Sequence, residues 1–467
     1  MPHRPRGPVP PSRRGSRKVS VSASPLMVSV SGIRGVVGDS LTVPVLVDYA
    51  AAFGRFVGPG RVVVGRDARP SGEWVLAVVA SALRAVGVDV VDVGLVPTPA
   101  VQVAVLDHHA VGGIVLSASH NPAAWNALKL LDARGEFLDA EASARFHAGV
   151  GHGGPWVGHE RLGGLVAAGG AVDAQVARAL AHPALERAAW PRAPIVVVDG
   201  CRSVGGLATP QALRALGAMV IELDCAPDGC FTRGLEPVPE NLGALGRLVL
   251  EHGADFGVAH DPDADRAALV GPDGVPLGEE ATLALAVRVV LARKQGPVVT
   301  NLSTSRMVED LAAAAGVPFL RTAVGEAHVV SGMRRVGAVI GGEGNGGVIA
   351  PEAHLGRDGT VAAVLVAQAW ADAGGDLAAA VRVLPRYVMM KARLEGVRDW
   401  PARAQDLVAQ FADYALDTTD GLRFSQDRAW LHARPSGTEP IVRLIAEAPD
   451  ATTTRALLER ARRAFTA

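Results

Sequence analysis

Three aspartates stand at alternate positions in "HDPDADRAALV": Asp261, Asp263 and Asp265. In a looped or extended backbone this spacing lets three carboxylates converge. Converged carboxylates repel one another unless a cation sits between them, and hard oxygen ligands suit Mg²⁺. An EF-hand calcium loop is excluded, because its glycine position holds Arg266 and its final glutamate position holds Pro272. Arg266, next to the trio, points to a site that also handles an anion. A solvated acidic turn is the alternative that spacing alone leaves open.

A second polar cluster ends an apolar strand in "LSASHNPAAWNALKL", where Ser119 and His120 are adjacent and Lys129 follows. Asn121-Pro122 is an ordinary turn signal. No GxSxG surrounds Ser119, and adjacent Ser and His are poorly placed for a hydrolase triad. A serine that accepts a phosphoryl group needs a divalent cation and basic groups instead. His120, Lys129 and the aspartate loop, with Arg34 from "SGIRGVVG", could supply them together; Arg34 by itself carries no functional signal.

Two further loops suit a phosphorylated sugar. "RPSGTEP" offers Arg434, the hydroxyls of Ser436 and Thr438, and backbone N–H groups that Gly437 leaves approachable. Such a nest fits phosphate, and a Pro/Gly turn is the alternative. "GGEGNGG" matches GxGxxG, but Pro351 follows where a helix should open, so a dinucleotide site is rejected. Glu343 and Asn345 there offer hydrogen-bond partners for sugar hydroxyls, with a plain tight turn as the alternative.

The elements that must carry these loops recur. "RVVVGRDARPSG", "PIVVVDGCRSVGG" and "PVVTNLSTS" are each an apolar strand, a polar loop, a helical pattern and a second strand. That is the crossover unit of a parallel sheet. Three α/β domains are expected, over residues 27–165, 166–275 and 276–384. Residues 385–467 read as two alternating strands and a helix, an α+β domain. Residues 1–26 are basic and Pro-rich and read as a disordered tail; they lack the apolar stretch of a signal peptide.

At 467 residues several domains are the default. A formal net charge of -1 gives no reason to expect nucleic acid or a membrane surface as partner. Any anionic ligand must be held by local basic groups. Cys201, Cys225 and Cys230 are odd in number and not in CxxC spacing, which predicts reduced thiols and a cytoplasmic protein. No stretch approaches the ~20 apolar residues of a membrane span.

With "SASHNP", "DPDADR", "GEGNGG" and "RPSGTEP" in that order, the chain resembles the α-D-phosphohexomutase family from about Met27 to its end. "GGEGNGGVI", "NLSTSR" and "SGIRGVVG" are most similar to its archaeal-type phosphoglucosamine mutase branch. The resemblance implies three similar α/β domains with mixed sheets plus a C-terminal α+β domain, arranged around a central cleft. It implies a phosphoserine at Ser119, and Mg²⁺ held by Asp261, Asp263, Asp265 and that phosphoserine. It also implies a hexose 1,6-bisphosphate intermediate. Lys129 and His120 match positions linked to proton transfer, and Arg34 matches an arginine beside the serine. Glu343 matches the sugar-hydroxyl ligand; Arg434, Ser436, Gly437 and Thr438 match the loop for the non-reacting phosphate. The partner implied is a small sugar phosphate, acting on a monomer or homodimer.

The chain departs from members whose sugar loop ends Ser-Gly-His, since Asn345-Gly346-Gly347 stands there. Glucosamine phosphate is the expected substrate, with mannose or glucose phosphates as the alternative. A phosphatase would destroy rather than isomerise the sugar phosphate. A non-catalytic sugar-phosphate sensor would be expected to lose Ser119 or the aspartates, and neither is lost.

Overall fold

The computed structural model describes residues 25–29, 32–397, 399–435 and 441–465. Most of the expected N-terminal tail lies outside them, as do Ser436, Gly437 and Thr438. Of that tail Pro25 and Leu26 are described, and Leu26 packs against the first apolar core.

Four sheets follow one another along the chain. The first has seven strands, and its middle is the parallel pair Arg61–Arg66 and Gly112–Leu116. Its far edge is Leu165–Ala167, paired with Asp89–Leu95, so this sheet reaches past residue 165. The second and third sheets have four strands each, and the fourth has five. The first three are mixed and the fourth is antiparallel.

The first three sheets share one local device. In each, a strand runs parallel to the strand that opens the crossover unit, then turns back as an antiparallel neighbour. These hairpins are Gly112–Leu116 with Trp125–Leu131, Phe256–His260 with Ala267–Val270, and Ile340–Glu343 with Gly347–Ile349. The serine loop, the aspartate loop and the sugar loop are therefore topological equivalents. Each lies beyond the carboxyl end of a buried parallel strand, where ligands of open α/β sheets gather. A strand, not a helix, follows "GEGNG", in keeping with the rejected dinucleotide reading.

The middle sheets share one core. The helices Glu279–Leu291 and Gly359–Asp372 are apolar nearly all round and buried along nearly their whole length. Such helices need cover on every side. They get it inside one apolar cluster that runs from Val176 to Leu384. The fourth sheet has a core of its own, from Leu407 to Ala464. Polar bonds join it to the third unit, among them Arg306 N to Glu447 Oε1 at 2.8 Å and Tyr387 Oη to Asp310 Oδ2 at 2.5 Å. Among the described residues no helix is long and apolar enough to cross a membrane.

Candidate active site

The serine loop is braced from below by Arg69, which is 1% exposed. Its guanidinium is held by Asp67 and donates to the carbonyls of Ser119, Asn121, Pro122 and Trp125. Ser119 itself takes a left-handed φ of 49°. A non-glycine residue there costs about 1 kcal/mol or more. The bracing keeps the serine in that conformation and aims its hydroxyl at the aspartate loop.

There Ser119 Oγ donates to Asp261 Oδ2 at 2.7 Å and accepts from Arg266 Nη2 at 2.9 Å. The three carboxylates are fully buried. Each spends its Oδ2 on the protein: Asp261 on Ser119 and Arg266, Asp263 on Thr98 and Lys129, Asp265 on Arg357. Each leaves its Oδ1 buried with no hydrogen-bond partner. One oxygen from each carboxylate lies within 4.8 Å of the others. Orphaned anionic oxygens at this depth are costly unless a cation completes them. The donor set fits a hard divalent ion such as Mg²⁺. Burial holds Asp261 above the usual carboxylate range, with Arg266 pulling the other way. Burial acts on Asp263 too, but the ion pair with Lys129 outweighs it and holds that carboxyl below the range.

Lys129 reaches Asp263 from the first sheet and lies 3.8 Å from Asp265. His120 Nδ1 sits 2.7 Å from Arg266 Nη2. Burial first, then the charges of Arg266 and Arg34, push its imidazole down to about 3. His120 is therefore neutral at pH 7. Arg34 Nη1 donates to Asn121 Oδ1 at 3.3 Å.

Ser119, His120, Lys129, Arg34, Arg266, Glu343 and Asn345 all line one cavity of about 310 Å³. A second cavity of about 260 Å³ adjoins it and shares Glu343 and Asn345; Arg434 lines it. The fold thus gathers described residues of the serine, sugar and phosphate loops around these two cavities, with the three aspartates buried behind Ser119, Arg266 and Lys129. Arg434, at the end of the strand Ala429–Pro435, donates from Nε to Asp420 Oδ1 at 2.8 Å. Lys391, Arg443 and His432 line the second cavity beside it and were not anticipated. Neither were Arg69, Thr98 or Arg357. Each is a single polar residue outside the four loops, and only the charged "RDARPSG" after a buried strand could have flagged Arg69.

Models of all four phosphoglucomutase/phosphomannomutase domains match the chain in order. Domain I covers residues 26–149, domain II 178–274, domain III 279–387 and the C-terminal domain 389–464. The chain belongs to the phosphoglucomutase/phosphomannomutase family. It is 36% identical over 443 residues to a phosphoglucomutase/phosphomannomutase of Thermococcus kodakarensis, covering 92% of this chain and 96% of that one. It is 34% identical to a protein of Methanopyrus kandleri named probable phosphoglucosamine mutase, covering 90% of this chain and 93% of that one. Among solved structures, a phosphoglucomutase/phosphomannomutase family protein from Burkholderia thailandensis superimposes with a TM-score of 0.80 at 28% identity. The match covers 94% of this chain and 97% of that one. This chain is a phosphohexomutase, and its fold is the family's four-domain fold.

Proposed function

We propose that this phosphohexomutase interconverts glucosamine 6-phosphate and glucosamine 1-phosphate through a phosphoserine at Ser119 and a bound bisphosphate. The observation that carries this reading is the Ser119 hydroxyl held between Asp261 and Arg266, beside three buried carboxylate oxygens that accept no hydrogen bond. Mg²⁺ held by Asp261, Asp263 and Asp265 would offset phosphoryl charge at the serine. Arg266, Lys129 and Arg34 surround the same point with fixed positive charge, which suits an anionic transition state. As the sugar hydroxyl attacks, the P–O bond to Ser119 breaks and one to the sugar forms. The hydroxyl's proton passes to a cleft base and the departing Ser119 oxygen takes up a proton in turn; Lys129 and His120 line the same cavity as Ser119, where these transfers occur. The bisphosphate then turns, and its other phosphate returns to Ser119.

Arg434 holds the phosphate that is not reacting, and Glu343 with Asn345 reads the sugar hydroxyls. Glucosamine is favoured by the phosphoglucosamine mutase names among the relatives; the Thermococcus relative's name keeps glucose and mannose phosphates as the second reading. The test compares turnover on glucosamine, glucose and mannose phosphates with a trace of bisphosphate, and maps phosphate by peptide mass spectrometry. Phosphate on Ser119 and fastest turnover of the glucosamine phosphates are expected. An active enzyme that never carries phosphate on Ser119 would overturn the mechanism, and a faster hexose would overturn the substrate.

A further inference from the structure

Arg357 belongs to none of the motifs, yet it touches both halves of the cleft. Its Nη2 donates to Asp265 Oδ2 at 2.6 Å and its Nη1 to Glu343 Oε2 at 2.7 Å. Its Nε donates to Glu326 Oε2 at 3.0 Å. One planar fork is thereby shared among three buried carboxylates, which an ammonium on a flexible stem could not imitate. The other oxygen of Glu343 accepts from Asn301 Nδ2 at 2.7 Å and from Gly325 N at 2.9 Å. Three donors therefore fix the Glu343 carboxylate and leave little of it free to turn.

The path of the Arg357 stem explains a gap in the sugar loop. Gly347 pairs with Glu343 across the hairpin. A Cβ on Gly347 would lie 2.3 Å from Arg357 Cδ. The volume that any side chain at 347 would enter is the volume through which Arg357 reaches Asp265 and Glu343.

We propose that Arg357 is a positioning residue for sugar recognition, locking Glu343 in register with Asp265, and that Gly347 lacks a side chain to admit it. The inference rests on the sugar-phosphate reading above. It predicts a defect in reading the sugar and none in gripping phosphate.

The test measures metal-free binding to the full chain carrying Ser119→Ala, which cannot turn over. Two ligands are titrated, hexose 6-phosphate and inorganic phosphate. Adding Gly347→Ala retains every charge but displaces the Arg357 stem. It is expected to weaken hexose 6-phosphate by about tenfold or more, the scale seen when an orienting partner is lost, and to leave inorganic phosphate unchanged. Arg357→Met should match or exceed that loss, and Arg357→Lys should recover only part of it. Combining Gly347→Ala with Arg357→Met should cost no more than Arg357→Met alone, because both remove one contact. If Arg357→Met does not fold, Gly347→Ala decides. The proposal is overturned if Gly347→Ala binds hexose 6-phosphate like its parent, or if both ligands weaken equally. If the parent binds no hexose 6-phosphate and the wild-type chain isomerises none, the functional reading has failed and this inference falls with it.

Discussion

Ser119 Oγ and Asp261 Oδ2 meet at 2.7 Å although 142 positions of chain separate them. The contact joins the hairpin loops of two different sheets, so it exists only when both units are folded and docked. Ser119→Ala removes the hydroxyl and keeps the rest of the loop, since Arg69 grips the backbone carbonyl at 119 and not the side chain. Turnover is expected to vanish while stability falls by roughly 1–3 kcal/mol, for two lost hydrogen bonds to ionisable partners. Purified variant with near-native rate, or with a collapsed melting temperature, would contradict this.

Removing divalent metal should stop turnover, and Mg²⁺ should restore it. Asp263→Asn subtracts one charge from the trio and should weaken Mg²⁺ by about tenfold or more. Calorimetric titration of Mg²⁺ into the variant checks it, and unchanged affinity would give the carboxylates another purpose.

Arg434→Ala should act on both directions of the reaction. The bisphosphate presents either phosphate to Ser119, so the far subsite must hold each in turn. Losing a charge-assisted contact of roughly 1.5–3 kcal/mol should raise KM for the 1-phosphate and the 6-phosphate alike, with a smaller fall in kcat. Impairment with only one isomer would rule out a shared subsite.

The three thiols should separate by pH. Burial pushes Cys201 and Cys225 up to about 12, while Cys230 is exposed. A thiol is nucleophilic only as thiolate. At pH 8, well below 12, the two buried thiols stay protonated. A disulfide reagent should therefore titrate one thiol in the native chain and three after denaturation. Three fast thiols at pH 8 would show that the second unit opens readily.

Removing residues 1–24 should leave activity unchanged, because no motif falls there. The safe cut comes before residue 26, since Leu26 packs on the first core. Steady-state rates of the shortened chain decide, and a large loss would give that segment a role.

The sequence showed the loops more clearly than their braces. Alternating aspartates and a serine after an apolar strand are local patterns, visible within a dozen residues. So was the repeat, because buried parallel strands read as runs of Val and Ile. The equivalence of the serine, aspartate and sugar loops was not visible, because it depends on which strand pairs with which. Arg357 was invisible for a related reason. Its partners Asp265, Glu326 and Glu343 are brought to it by three separate turns of chain. Nothing in "HLGRDGT" marks such a convergence.

The helices Glu279–Leu291 and Gly359–Asp372 carry a consequence for how this chain can be divided. Sequence repetition suggests beads that could be excised singly. A chain severed near residue 275 would strip both helices of neighbours on one side and bare a broad oily face on each fragment. Such fragments should aggregate or need each other to dissolve. The second and third repeats should thus melt as one unit, and their amide protons should exchange together. The fourth, which buries its own apolar residues and is tied on by polar bonds, is the piece that salt or mild urea should loosen first.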